Sequence, residues 1–337
     1  MAEAQLMAEH LATYWRRTAL QWLWAAIQLA TAMIVITTIA ALFAQHHWLA
    51  DLLANLRVQQ IIAGLAILLL CITYRRSAWT AVTVVCLAIH VSWLLPVRSP
   101  LAAPQGSAEH LTITLANVLT RNQRHEDIVA DVVSRDPDAF VILELSSSLA
   151  SALDRTVRSK YPYAIVRPMD NGNFGIGLYS RHRLVESAVF TLNTEIESID
   201  ATINVHDREY RIFATHPIPP MGNRGYRSRN EHLKQLAMMI REAASGPAEN
   251  PIILVGDLNL TPWSPHFAAF EQASGLRRAS NGFGLAPTWY RYPLFPFGLV
   301  LDHALVSERL SCVDHVIGPD IGSDHRSVTV TLTPTSK

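Results

Sequence analysis

Three stretches near the N-terminus, 20–43, 58–74 and 78–95, contain no Asp, Glu, Lys or Arg and present no polar face. A helix needs ~20 mostly apolar residues to cross the hydrocarbon core, and it satisfies its own backbone there, so the pattern predicts three transmembrane helices within residues 1–96. A cleavable signal peptide fits badly, because the first run is too long and no small-residue cleavage site leads into a soluble chain. Basic residues set the expected orientation. Arg16 and Arg17 precede the first run and Arg75 and Arg76 fill the turn between the second and third, whereas the loop 44–56 holds only His46, His47 and Asp51, with Arg57 at the edge of the second run. The positive-inside bias then places the N-terminus in the cytoplasm and delivers everything after the third run to the extracytoplasmic side of a cell membrane. Residues 97–110 are rich in Pro, Ser and Ala and read as a linker.

From residue 111 the pattern changes to short runs rich in Val, Ile, Leu and Thr, at 111–118, 139–145, 174–180, 201–206, 210–216, 251–260, 301–307 and 327–332. These predict strands. Between them, 125–135, 147–159, 227–244 and 264–273 carry helical spacing, the last with Ser264 placed as N-cap and Pro265 at the first helical position. Strands alternating with helices, with hairpins such as 201–216, predict an α/β sandwich of two mixed sheets flanked by helices, filling 111–337.

Composition agrees with this division. The chain is 50% hydrophobic, more than a soluble domain needs. Of 28 basic and 28 acidic residues, six and three lie in 1–100, leaving 22 and 25 beyond it. The second half is therefore slightly acidic and lacks the long basic stripe that would grip nucleic acid by its phosphates. Cys71, Cys86 and Cys312 form neither a disulfide framework nor a CxxC zinc site.

Buried strands normally end in turn residues of no special chemistry. Here Asn117 closes the first and Glu144 the second, His216 ends the strand before a Pro-rich loop, Asp257 and Asn259 follow PIILVG, Asp302 opens LDHALVS, and Asp324 with His325 precedes the last. Singly, each could cap a strand or shape a turn. Jointly they place acids, amides and imidazoles where strand ends converge. Carboxylates crowded in that way need a cation or a proton between them.

The series Asn117, Glu144, His216, Gly256-Asp257-Leu258-Asn259, Asp302 and Ser323-Asp324-His325 resembles the endonuclease/exonuclease/phosphatase superfamily over about 111–333. The resemblance implies a four-layered α/β sandwich and a Mg2+- or Mn2+-dependent hydrolase of phosphoric esters. It assigns Glu144, Asn117 and Asp324 to the metal, Asp257 to the attacking water, Asn259 and His216 to the phosphoryl group, and His325, steadied by Asp302, to the phosphate or leaving group. It makes Arg229 the phosphate clamp among Arg224, Arg227 and Arg229. The chain departs from the family pattern at Leu143, where a Gln is common, at His303, where an aromatic is common, and at Ser327, near the usual proline. The anchored layout is similar to that of the glycopeptide-resistance membrane proteins of the superfamily. With the aromatic segment 287–303, it favours a phosphate ester borne by a lipid or a polyprenyl chain. An extracytoplasmic nuclease is the less favoured reading, a catalytically silent scaffold the least, and no protein partner is inferable.

Overall fold

A computed structural model of the protein describes residues 2–95, 109–246, 250–284, 286–290 and 297–335. Its chain separates into two compact units, Met1–Pro96 and Val97–Lys337. The predicted linker lies outside the described residues except for Glu109 and His110.

The first unit is a helical bundle: α1 (Ala2–Leu42), α2 (Trp48–Asn55), α3 (Arg57–Thr73) and α4 (Ser77–Leu94). Two of its helices, over Gln5–Leu42 and Ser77–Leu94, are long and apolar enough to cross a membrane. The second expected span is instead a broken pair: α2 and α3 meet at 67° around Leu56 and reach a third span only if counted together. The apolar pattern of 58–74 gives no warning of this, because the break falls at its flank, at Leu56. Ile27, Ile34, Ile67, Cys71 and Cys86 close a small core between α1, α3 and α4.

The second unit runs β1 (Leu111–Asn117), α5 (His125–Arg135), β2 (Ala139–Leu143), α6 (Ser147–Val157), β3 (Tyr163–Arg167), β4 (Ile176–Ser180), β5 (Leu184–Thr191), β6 (Glu197–Val205) and β7 (Arg208–Thr215). It continues through α7 (Gly222–Ala244), β8 (Ile252–Asp257), α8 (Pro265–Ser274), β9 (Arg277–Arg278), β10 (Asp302–Val306), β11 (Leu310–Ile317) and β12 (Val328–Pro334). The strands form two six-stranded mixed sheets, ordered β11-β12-β1-β2-β4-β3 and β5-β6-β7-β8-β10-β9.

Alternation along the strands builds the layers. Leu111, Ile113 and Leu115 of β1 face Ile199, Ile212 and Ile253 of the other sheet in the central core. Residues of the opposite parity cover the outer faces. Phe140 and Ile142 pack against Ile128, Val132 and Leu153 of α5 and α6. Phe213 and Leu254 pack against Leu236 and Ile240 of α7 and Phe267 of α8. The α8 start follows its signal, with Ser264 Oγ accepting from the His266 amide at 3.3 Å and Pro265 in the first turn. By contrast α7 begins at Gly222, five residues before the expected start, because two glycines and an asparagine weaken the helical pattern there.

Two departures from the family pattern have structural work. His303 Nε2 lies 2.8 Å from the Leu260 carbonyl, with its ring 4.8 Å from Phe267. Burial pushes that imidazole down to about 4, against the pull of the carbonyl, so it sits neutral in the core. Ser327 Oγ donates to the buried Asp131 carboxylate of α5, tying the start of β12 to that helix.

Candidate active site

Register puts the polar strand ends at one mouth. β1 and β2 are parallel with Asn117 opposite Leu143, so Glu144 emerges beside Asn117. β7 and β8 are parallel with Thr215 opposite Gly256, so His216 emerges beside Asp257. β10 runs antiparallel to β8 and pairs Asp302 with Asp257, while Leu115 near the end of β1 faces Val328 at the start of β12, bringing Ser323 to His325 to the same end. Close approach explains the glycine of GDLN: a Cβ on Gly256 would lie 2.3 Å from the Thr215 carbonyl oxygen.

Six of the expected residues are buried together: Asn117, Glu144, His216, Asp257, Asp302 and His325. The Asn117 amide nitrogen bridges two carboxylates, 3.1 Å from Glu144 Oε1 and 3.2 Å from Asp257 Oδ2. Asp257 Oδ2 also lies 3.4 Å from His216 Nε2 and 3.7 Å from His325 Nε2, while its Oδ1 accepts from the Asn259 amide at 2.9 Å. On its far side His325 Nδ1 meets Asp302 Oδ2 at 2.8 Å. The imidazole of His325 is thus held between two carboxylates. Ser323 braces the motif, donating from Oγ to the Asn117 carbonyl at 2.8 Å and accepting from the His325 amide at 3.0 Å.

Two of these residues have left-handed backbones, Glu144 at φ 58° and Asn259 at φ 51°. Asn tolerates that region, whereas Glu is held there by its surroundings at a cost of about 1–3 kcal/mol. Asn259 is pinned from both sides, its Nδ2 donating to the Pro217 carbonyl at 3.0 Å and its own carbonyl accepting from Arg229 Nη1 at 2.9 Å. The Arg229 guanidinium is fully buried on α7, with Nε and Nη2 on the Asn230 carboxamide, and through Nη1 it fixes the main chain of Asn259. Arg224 and Arg227 are exposed on the first turns of the same helix. Asp324 is also placed differently from its neighbours: it is exposed, and Oδ2 accepts from Trp289 Nε1 at 3.1 Å.

The site includes residues that sequence reasoning passed over. Thr120 contacts Glu144 twice, through its amide to Oε2 at 3.4 Å and its hydroxyl to the main-chain oxygen at 3.2 Å. Thr288 Oγ1 accepts from the amides of Leu301 and Asp302, both at 3.0 Å, fixing the start of β10. Phe174 rests against His216 with ring centres 5.4 Å apart. Of the aromatic segment, Tyr292 and Phe295 lie outside the described residues. Its N-terminal end is clamped beside the SDH motif, Tyr290 N donating to the Asp324 carbonyl at 2.9 Å and Arg326 N to the Thr288 carbonyl at 2.7 Å. Phe297 is 47% exposed.

Electrostatics divides the groups. Burial raises the Glu144 carboxyl, and His216, Asn117, His325 and Thr120 only partly offset it. Burial also opposes ionisation of Asp257, but the hydrogen bond from His216, the charges of His325 and His216 and the Asn259 amide outweigh it and hold the group below the usual carboxylate range. For His325, burial would lower the ring, yet Asp302, Asp257 and Asp324 lift it to about 10. It is an imidazolium at neutral pH.

The donor set fits a hard divalent cation. Every candidate ligand at the Glu144 end is an oxygen, and the Asn117 amide already occupies the point between Glu144 and Asp257 where positive charge is wanted. With that amide turned over, which is an assignment of O and N, its oxygen faces the same point. Oxygens of Asp257 and Asp302 and a nitrogen of His325 also converge within 4.8 Å of one another. In that group His325 Nδ1 and Asp302 Oδ2 already hold each other at 2.8 Å.

The sequence matches the model of the Endonuclease/Exonuclease/phosphatase family over residues 114–325, and the chain belongs to that family. It is accordingly a metal-dependent hydrolase acting on phosphoric ester bonds. No curated protein sequence matches it. Among solved structures it is similar to D. rerio TDP2 complexed with a single-strand DNA product, with 16% identity, a TM-score of 0.55 and coverage of 67% of this chain and 99% of that one. The human Nocturnin catalytic domain with bound sulfate gives 19%, 0.54, 67% and 95%. Sphingomyelinase C from Streptomyces griseocarneus gives 17%, 0.52, 66% and 99%. At such identities the likeness is one of fold.

Proposed function

We propose that the protein is a membrane-anchored phosphoesterase, dependent on Mg2+ or Mn2+, that hydrolyses a phosphate ester carried by a lipid or polyprenyl chain on the extracytoplasmic face of the cell membrane. The observation that carries this reading is the union, in one chain, of a phosphoesterase site with helices apolar enough to span a bilayer. Three crossings, with α2 and α3 together as the second, and the arginines at 16, 17, 75 and 76 support the outward placement. The likeness to glycopeptide-resistance membrane proteins supports the same layout. The solved neighbours include both a complex with a DNA product and a sphingomyelinase, so the fold serves either substrate class. The slightly acidic composition beyond residue 100 favours the lipid.

In this reading Glu144 and Asn117, with Asp324, would hold the cation. The bound cation would supply charge for the phosphoryl oxygens. Asp257, ionised and facing the two imidazoles, orients the attacking water; its low proton affinity suits alignment more than outright deprotonation. His216 and Asn259 donate to the phosphoryl oxygens. His325, charged and aimed by Asp302, donates to the phosphate or the departing oxygen.

Two outcomes test the scheme. Purified full-length enzyme with Mg2+ should turn over short-chain phospholipid or farnesyl pyrophosphate and leave plasmid DNA intact; nicked plasmid with untouched lipid phosphates selects the nuclease. A second measurement probes the donor role of His325. Because its pKa is raised, activity should hold through neutral pH and fall as pH rises through about 10. Asp302→Asn removes the largest support of that charge, so the alkaline limb of the rate profile should move down toward the ordinary histidine value of about 6.5. An unmoved limb would assign the proton to another group.

A further inference from the structure

A second polar centre lies within the helical unit. Arg57 opens α3 at the break after Leu56 and is fully buried, and among the described residues its Nε, Nη1 and Nη2 have no hydrogen-bond partner. The guanidinium sits 4.6 Å from the ring centre of Trp93 on α4. One helical turn earlier on the same face, His90 is also fully buried and close enough to sense the charge of Arg57. Thr38 Oγ1 donates to the Ile34 carbonyl at 2.6 Å, so at its 2.9 Å contact His90 donates through Nε2. That leaves His90 Nδ1, without a partner among the described residues, as an acceptor.

An enclosed guanidinium with five donors and no acceptor is costly, because desolvation goes uncompensated. Among membrane helices such a charge marks a ligand or an ion path. Its position adds to this. A helix that begins at a break presents its first-turn N–H groups and the positive end of its dipole to whatever occupies the elbow. The missing partner has definite chemistry. It is anionic, it accepts several hydrogen bonds in a plane, and it can offer a hydroxyl to an imidazole nitrogen. A phosphate headgroup meets all three conditions.

We propose that Arg57, with His90 and Trp93, forms a binding site for the phosphate headgroup of an anionic lipid within the helical unit, separate from the hydrolytic site. On the orientation given above, the α2–α3 elbow lies toward the extracytoplasmic end of the bundle. This inference rests on the membrane reading, and the experiment separates the two.

Full-length protein is first taken through alkaline carbonate extraction of membranes. Release from the membrane overturns both the anchoring and this site. Retained protein is purified in detergent and titrated with phosphatidic acid, a monoester, phosphatidylglycerol, a diester, and zwitterionic phosphatidylcholine, and bound lipid is counted by native mass spectrometry. One anionic lipid per chain should be retained in preference to phosphatidylcholine, and Arg57→Gln should weaken that binding by about 10-fold or more. A preference for the monoester assigns His90 Nδ1 to the phosphate hydroxyl; equal binding of monoester and diester supports the guanidinium alone. Hydrolysis of a water-soluble phosphodiester should be unchanged in the variant, which separates loss of this site from loss of the active site. Equal occupancy in Arg57→Gln, or phosphatidylcholine bound as well as the anionic lipids, overturns the proposal and leaves Arg57 as a structural counter-charge. Should Arg57→Gln not fold, Arg57→Lys keeps the charge and loses the planar fork: several-fold weaker binding supports the site and unchanged binding overturns it.

Discussion

Asp257→Asn is expected to reduce turnover roughly 100- to 10,000-fold while leaving the fold intact. The substitution is nearly isosteric, and the neighbours explain the size of the effect. Asp257 Oδ2 is the common acceptor for the Asn117 amide, His216 and His325, and Oδ1 takes the Asn259 amide. These donors keep the carboxylate ionised despite complete burial. A carboxamide in its place loses the charge that aligns the nucleophile and turns an N–H2 toward at least one existing donor. It also removes one of the two carboxylates that hold His325 charged, so the residual activity should lose its alkaline limb at lower pH than the wild type. Circular dichroism and a thermal melt would verify folding, and a rate–pH profile would read the rest. Activity within a few-fold of wild type would show that Asp257 neither orients nor accepts, and the water would have to be placed by another group.

What the sequence reveals of this fold depends on burial. The eight strands whose apolar runs could be read are β1, β2, β4, β6, β7, β8, β10 and β12, which are the interior strands of the two sheets. The four without a readable run, β3, β5, β9 and β11, are the four edges. An edge strand is paired on one side only and is often exposed, so selection on its side chains is weaker and includes charges that discourage edge pairing. β5 shows this: Val185, Glu186, Ser187 and Ala188 are all exposed, and no apolar alternation survives. At the site, chain order exposed the groups that end interior strands. It could not reveal the left-handed backbones of Glu144 and Asn259, since neither is glycine, nor the burial of Arg229. On a helical wheel a buried arginine and a solvent-facing one look alike. Only the carbonyl of Asn259 beneath the guanidinium separates the two cases. The α2–α3 break was hidden for a related reason: periodicity reports which residues are apolar but not where a helix changes direction.

Glu144→Gln should abolish metal-dependent activity, by about 100-fold or more, and yet make the metal-free protein no less stable. The carboxylate is buried and raised by desolvation, so in the absence of a cation it costs folding energy that a neutral carboxamide does not. Melts of the metal-free proteins should place the variant level with the wild type or a few degrees above it, about 2–4 °C for each kcal/mol of relief. Addition of Mg2+ should then stabilise the wild type by mass action and leave the variant unmoved, while EDTA should silence the wild type and fresh Mg2+ or Mn2+ restore it. The same proton affinity gives a sign to the pH dependence. Because the Glu144 pKa is raised, protons compete with the cation more as pH falls, and the Mg2+ concentration needed for half-maximal rate should climb on the acid side. A variant that keeps the full Mg2+-dependent melting shift would move the cation away from Glu144, toward the convergence of Asp257, Asp302 and His325. In that arrangement His325 would have to give up a ring proton to serve as a ligand, and the alkaline limb assigned to it would vanish along with its role as donor.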